Sequence, residues 1–211
     1  MAVDWQDLLR PSQTALLVIE MQEGVIGQGT FFRGLADAVR DGGLLPRLDA
    51  LLASARRAGA KVVYCPADRR ADGLGNLRNT PLTAKVGASH ASPEAKARHA
   101  AIVSEIAPQP GDAIVPNAYG MTCFHESGLD TILRGLGAKT VVLTGVSLNI
   151  AIPGATLDAV NRGYRVVIPA DCVAATPAAY GEQVLQNTLR NLAYITTAAQ
   201  IEEVWKPAVR P

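Results

Sequence analysis

The groups able to do chemistry in this 211-residue chain gather where apolar runs end. Glu20 closes the run ALLVI at 15–19 and precedes Met21-Gln22. A carboxyl placed there is poorly solvated, which disfavours its charged form, raises its pKa and suits a general acid or base. The other role open to it is to hold backbone amides at a helix N-terminus. Gln22 has two readings, lining a pocket rim or bracing a turn. Asp68, Arg69 and Arg70 follow a second such run, KVVYC at 61–65. Arg69 suits contact with an anionic substrate group, set against a plain solvated charge cluster. The segment GMTCFHE at 120–126 brings Cys123, Phe124 and His125 together just after Tyr119. An adjacent Cys and His invite a nucleophile-and-base reading. Sequence neighbours rarely point at each other, however, and a free Cys commonly packs as a small apolar group. His125 is therefore read as a polar ligand contact, with Tyr119 and Phe124 as apolar walls. Ser147 and Asn149 sit in a further turn, where Asn149 either stabilises the turn or touches substrate. Cys65 and Cys172 are expected to be inert packing residues, and His90 and His99 to be exposed. No His, Cys or carboxylate spacing suggests zinc, and no G-x-G-x-x-G follows the first apolar run. No metal and no cofactor are expected.

Placing those residues needs a scaffold. Short β-branched runs at 14–19, 61–65, 113–115, 139–143 and 165–168 read as strands, with 194–197 as a sixth at the edge. Helical spacing covers 35–58, a short stretch near 93–106, then 129–136, 153–161 and 180–193, with a terminal helix after 197. Residues 68–110 otherwise read as a long loop. Strand and helix alternate five or six times, which predicts an α/β fold: a three-layer α/β/α sandwich around a mostly parallel, about six-stranded sheet. Such sheets bind ligands outside the carboxyl ends of their strands, where the residues above fall.

Bulk properties agree with one cored domain spanning 1–211. Folding a chain of 22.2 kDa buries around 70% of its surface. The balance of 20 basic against 19 acidic side chains gives no electrostatic case for nucleic acid. Three cysteines, an odd number, argue against a disulfide framework and for a reducing compartment. No apolar run reaches the roughly 20 residues that span a bilayer, and the polar, acidic first ten residues lack a signal-peptide pattern. A cytoplasmic protein that meets a small-molecule ligand, without membrane or nucleic acid, is expected.

Three segments in order carry a more specific pattern: TALLVIEMQ at 14–22, IVPNAYGMTCFHESGLDTIL at 114–133 and VVLTGVSLNIAIPGATLDAVNRGYRVVIPADCVAA at 141–175. Together they resemble the isochorismatase-like hydrolase superfamily, the cysteine hydrolases, over about residues 14–201. The resemblance implies the three-layer fold already inferred. It also implies a site of three side chains: a first-strand Asp as base, a Lys after the third strand, and a Cys nucleophile heading the helix after the fourth. Here those positions hold Glu20, Asn117 and Ala151, flanked by the matching Met21-Gln22, Gly145-Val146, Asn149 and Asp158-Ala159. A methyl group is no nucleophile, so ordinary cysteine-amidase activity is expected to be absent. Family members that lack the Cys cleave a vinyl ether with the first-strand carboxyl as acid, a role Glu20 could keep. Three readings follow: a rebuilt enzyme without a covalent step, a catalytically silent binder of a small molecule or partner, and a purely structural protein. The resemblance further implies a homo-oligomer, dimer or tetramer, and a non-proline cis peptide near Val146-Ser147.

Overall fold

The computed structural model describes residues 3–86 and 92–207, so His90 lies outside the described residues. Among the described residues, seven strands form one sheet: β1 (Thr14–Ile19), β2 (Lys61–Cys65), β3 (Ala113–Ile114), β4 (Thr140–Val146), β5 (Arg165–Pro169), β6 (Val173–Ala174) and β7 (Tyr194–Thr196). The order is β3-β2-β1-β4-β5-β7, every pairing is parallel, and β6 pairs with the end of β4. Ten helices connect them among the described residues: α1 (Trp5–Leu8), α2 (Glu23–Ile26), α3 (Arg33–Asp41), α4 (Leu44–Ala58), α5 (Pro81–Val86), α6 (Pro93–Ala100), α7 (Leu129–Gly135), α8 (Ala151–Asn161), α9 (Ala178–Asn187) and α10 (Ala198–Val204).

The apolar runs are explained by burial on both faces. All six residues of β1 and all seven of β4 are buried. Alternate residues feed two cores, as the two-residue period of a strand requires. Leu16, Val18, Val142 and Val146 meet α4 and α10 on one side, while Ala15, Leu17, Val141 and Leu143 meet α7 and α8 on the other. Helix α4 turns Leu44, Leu48, Leu51, Leu52 and Ala55 toward the first core, a helical repeat along one stripe. Each such leucine contributes about 1.5–3 kcal/mol of burial free energy. Gly59, at φ +84°, closes the helix in the left-handed conformation.

Several expected boundaries shift. The single helix expected at 35–58 is two, broken at Gly42-Gly43, where Gly43 adopts φ +60°. The stretch 93–106 ends its α-helix at Ala100 and continues through an antiparallel bridge between Ile102 and Gln22 into a 3-10 turn. The stretch 180–193 likewise finishes in a 3-10 turn at Leu189–Asn191. Helix α8 begins two residues earlier than expected, at Ala151, and β4 runs on through Val146. Helices α1, α2 and α5 and strand β6 are additional; at two to six residues each, they are too short to show a period. No described helix is long and apolar enough to cross a membrane.

The strand order reverses between β1 and β4, whose C-terminal ends therefore open onto a crevice. There the two backbones come unusually close. A Cβ added to Gly145 would lie 2.2 Å from the carbonyl oxygen of Ile19, and Gly145 has φ +96°. Gly145→Ala is therefore expected to lower unfolding free energy by roughly 3 kcal/mol or more, read from the denaturant midpoint.

Candidate active site

Immediately beyond that contact, Glu20 takes φ +53°, a left-handed conformation that few side-chain-bearing residues adopt. Its amide donates to the carbonyl of Cys65 at 3.2 Å, tying the turn to the end of β2. Glu20 then borders a cavity of about 120 Å³ at the crevice. Water-sized room needs about 10–15 Å³, so this space suits a small molecule. Ala151 borders the same cavity from the first turn of α8, beside Ile150. Arg69 and Arg70 reach it from the loop after β2, and Gly120 and Met121 from the loop after β3. Val25, Phe32 and Leu82 supply apolar wall.

The electrostatics centre on Glu20. Burial pushes its carboxyl up to about 7, against an opposing pull from the Arg69 guanidinium. The group is thus close to half-ionised at neutral pH. Arg69 donates to the carbonyl of Gly120 at 3.3 Å, which leaves most of its five N–H donors for a ligand. Arg70 is engaged by Asp72, with Nε 3.0 Å from Oδ1, and by the Tyr119 hydroxyl.

The three positions picked out by the resemblance do not stand alike. Glu20 and Ala151 share the cavity, whereas Asn117 sits one layer behind it, only 6% exposed. Asn117 pairs with the cavity residue Ala67 as a bridge, and its Oδ1 accepts from the amide of Tyr119 at 3.2 Å. The peptide Val146-Ser147 is cis.

Several residues expected to bind substrate are placed elsewhere. Gln22 is fully buried, and both ends of its amide are spent on backbone. Oε1 accepts from Ala67 N at 2.6 Å, and Nε2 donates to the carbonyls of Ala67 and His99 at 2.7 and 3.1 Å. It braces the loop after β2 against α6. Asn149 likewise clamps Thr176, accepting from its amide at 3.1 Å and donating to its carbonyl at 2.9 Å. Ser147 does not border the cavity; its carbonyl accepts from Ile150 and Ile152 at the start of α8. Phe124 is a core residue, with the Arg162 guanidinium 5.1 Å from its ring centroid. His125 is exposed and lies against Gly120, and Tyr119 covers Gly75 rather than the cavity.

Conversely, His99 is not a surface residue of a polar stretch. It borders the cavity, with its ring so close to α2 that a Cβ on Gly24 would fall 2.1 Å away. Asn76 and Thr83 border it too, from the segment read as loop. No local signal marks these three; they are brought in by long-range packing of α2, α5 and α6. A glycine such as Gly24, two residues beyond the brace at Gln22, is the nearest thing to a hint.

The thiols offer no substitute nucleophile. Cys65, Cys123 and Cys172 are free and buried. Cys123 is 3% exposed and its thiol is held protonated by a neighbouring Cys65 and by burial. Burial likewise pushes Cys172 up to about 12. Among the described residues, no three His, Cys, Asp or Glu groups gather in a way that could hold a metal ion.

With this geometry in view, comparison with known proteins is decisive at the family level. A profile of the isochorismatase domain matches residues 14–200. The chain belongs to the isochorismatase family. A ureidoacrylate amidohydrolase, RutB, of Pseudomonas syringae pv. syringae is 28% identical over 189 residues, covering 83% of this chain and 76% of the relative. Among solved structures, a cysteine hydrolase from Pseudomonas syringae pv. phaseolicola superposes with a TM-score of 0.80 at 25% identity, over 92% of this chain and 93% of that one. The N-carbamoylsarcosine amidase of Thermoplasma acidophilum, at TM-score 0.70 and 23% identity over 88% and 96% of the two chains, shares the fold.

Two measurements check this geometry. Glu20 is protonated below about pH 4.5 in both folded and unfolded chains. Between 4.5 and 7 only the unfolded chain releases its proton, so stability falls by about 3 kcal/mol and then levels off. Glu20→Gln, uncharged throughout, is expected to raise the melting temperature by several degrees more at pH 8 than at pH 5. Gln22→Leu strips partners from three part-buried backbone groups and is expected to lower the unfolding free energy by about 2–4 kcal/mol in a denaturant titration.

Proposed function

We propose that this isochorismatase-family chain is a hydrolase of a small metabolite that works without a covalent intermediate, with Glu20 moving the proton. The observation that carries the reading is that Glu20, its carboxyl pushed up to about 7, and Ala151, at the position the resemblance gives to the thiol, border one cavity. Ionised Glu20 takes a proton from a water molecule that stands where a sulfur would attack. The resulting hydroxide adds to the substrate carbonyl carbon. Negative charge then grows on the carbonyl oxygen, and the Ala151 amide is the donor offered to it at the positive end of α8, since Pro153 has no N–H and the amides of Ile152 and Gly154 donate to the carbonyls of Ser147 and Ile150. Glu20 returns its proton to the leaving group as the tetrahedral adduct collapses. Acid–base help of this kind contributes about 10²–10⁴ in rate.

Arg69 favours a substrate with an anionic end. The RutB likeness suggests small acids that carry an amide or ureido group as the first class to examine. A homo-oligomer, dimer or tetramer, forms part of the reading and is checked by light scattering.

A catalytically silent ligand binder is the second reading. It is favoured by Asn117, whose side chain secures Tyr119 instead of presenting a cation to the cavity. The two part on turnover. Assayed with N-carbamoyl amino acids, simple amides and enol ethers, the wild type is expected to hydrolyse one class, with a rate that rises through about pH 7 for a carbonyl substrate, where Glu20 acts ionised, and falls through it for an enol ether, where Glu20 acts as the acid. Glu20→Gln is expected to lose at least 100-fold, and intact-mass spectra during turnover to show no adduct. Binding of such compounds with no turnover in either protein decides for the silent binder.

A further inference from the structure

We propose that the cavity selects small acids that carry an apolar side chain close to their amide or ureido group, and that Leu82, Met121 and Ile150 are the specificity residues that receive it. The inference rests on the reading of this cavity as a ligand site and narrows the class of ligand. All three residues border the cavity. They come from α5, from the loop after β3 and from the residue just before α8, segments far apart in the chain. None of the three joins either core of the domain. Ile150 is 40% exposed, and Leu82 and Met121 are half-buried.

Single apolar side chains at a surface are ordinary and carry no message. Three that converge on one concave space from separate segments, with Phe32 beside them, form the kind of wall that takes up an apolar group. Folding gains little from Ile150 in particular: its side chain caps no amide of α8 and packs in neither core. As a β-branched residue it has few rotamers, so it offers a fixed surface.

The wall stands next to the reacting centre. Ile150 precedes Ala151, and consecutive Cα atoms lie about 3.8 Å apart. A substrate whose carbonyl lies beside Ala151 therefore brings its apolar group to Ile150 only if that group is attached a few bonds away. Arg69 calls for an acid on the same molecule. N-carbamoyl and N-acyl derivatives of apolar α-amino acids meet both conditions, since side chain and carboxylate hang from one carbon beside the nitrogen. A polar side chain of the same shape would lose its water against these residues and find no partner.

N-carbamoyl-L-leucine and N-carbamoyl-L-asparagine form a matched pair of probes, equal in charge and in number of non-hydrogen atoms. Each is titrated into the full-length chain and followed by NMR, with kcat/KM compared for any probe that is consumed. The wild type is expected to prefer the leucine compound by about tenfold or more. Ile150→Ala and Leu82→Ala are each expected to weaken the leucine compound about three- to tenfold and to leave the asparagine compound nearly unchanged, a difference that a general loss of structure would not produce. Equal binding of both probes, or a preference for asparagine, overturns the inference, and if Arg69→Ala weakens that binding the ligand-site reading stands without it. A leucine preference that survives both alanine variants overturns the assignment of these residues. Failure of both probes to bind at millimolar concentration overturns the ligand-site reading for this class, and the inference falls with it. Should one variant not fold, the wild-type ratio and the other variant decide.

Discussion

Two parallel strands meet at backbone distance where Gly145 of β4 lies over the carbonyl of Ile19 at the end of β1. Any side chain at 145 would push them apart. Because they touch, the chain must leave β1 by a sharp turn, and Glu20 makes it in a left-handed conformation. That turn brings a carboxyl to the crevice where the strand order reverses and sets it across from the start of α8. The rest of the site follows from this contact. Gln22, two residues on, reaches back to Ala67 and across to His99, so three walls of the cavity share one brace.

The balance of charge follows from the same placement. A carboxyl half-ionised near neutrality is the outcome of two opposed effects, lost hydration and the nearby Arg69 cation, with lost hydration the larger. The Cys123 thiol is pushed up by its hydrogen bond with Cys65, by burial and by the Glu20 carboxyl, so it adds packing and no reactivity. Glu20 is the proton carrier proposed for this cavity, which His99 also borders, and it is set beside a guanidinium with donors to spare.

Much of the architecture was legible in the chain. The runs at 14–19 and 61–65 and the leucine stripe of α4 have the periods their burial demands, and their elements came out in place. Glu20 and Arg69 border the cavity at the strand ends where parallel sheets bind ligands, and Ala151 borders it at the position that the family resemblance pointed to. What failed was the aim of side chains within a loop. Tyr119, Phe124 and His125 follow one another after β3, yet they pack against a turn, a core and a glycine respectively. Loop backbones have no period, so adjacency says nothing about direction. His99 and Asn76 were hidden for a related reason: each is some 50 or more residues from Glu20, and long-range packing alone unites them.

The lengths of the outer strands carry one more consequence. Strand β3 has two residues and β7 three, at the two ends of the strand order. A flanking strand of that length exposes few open N–H and C=O groups, and Pro116 follows just beyond β3. A stray β-segment from another molecule finds too short a template to extend. The margins of the sheet thus discourage amyloid-like stacking, so any self-association has to be written in side chains and helix faces rather than in main-chain ladders.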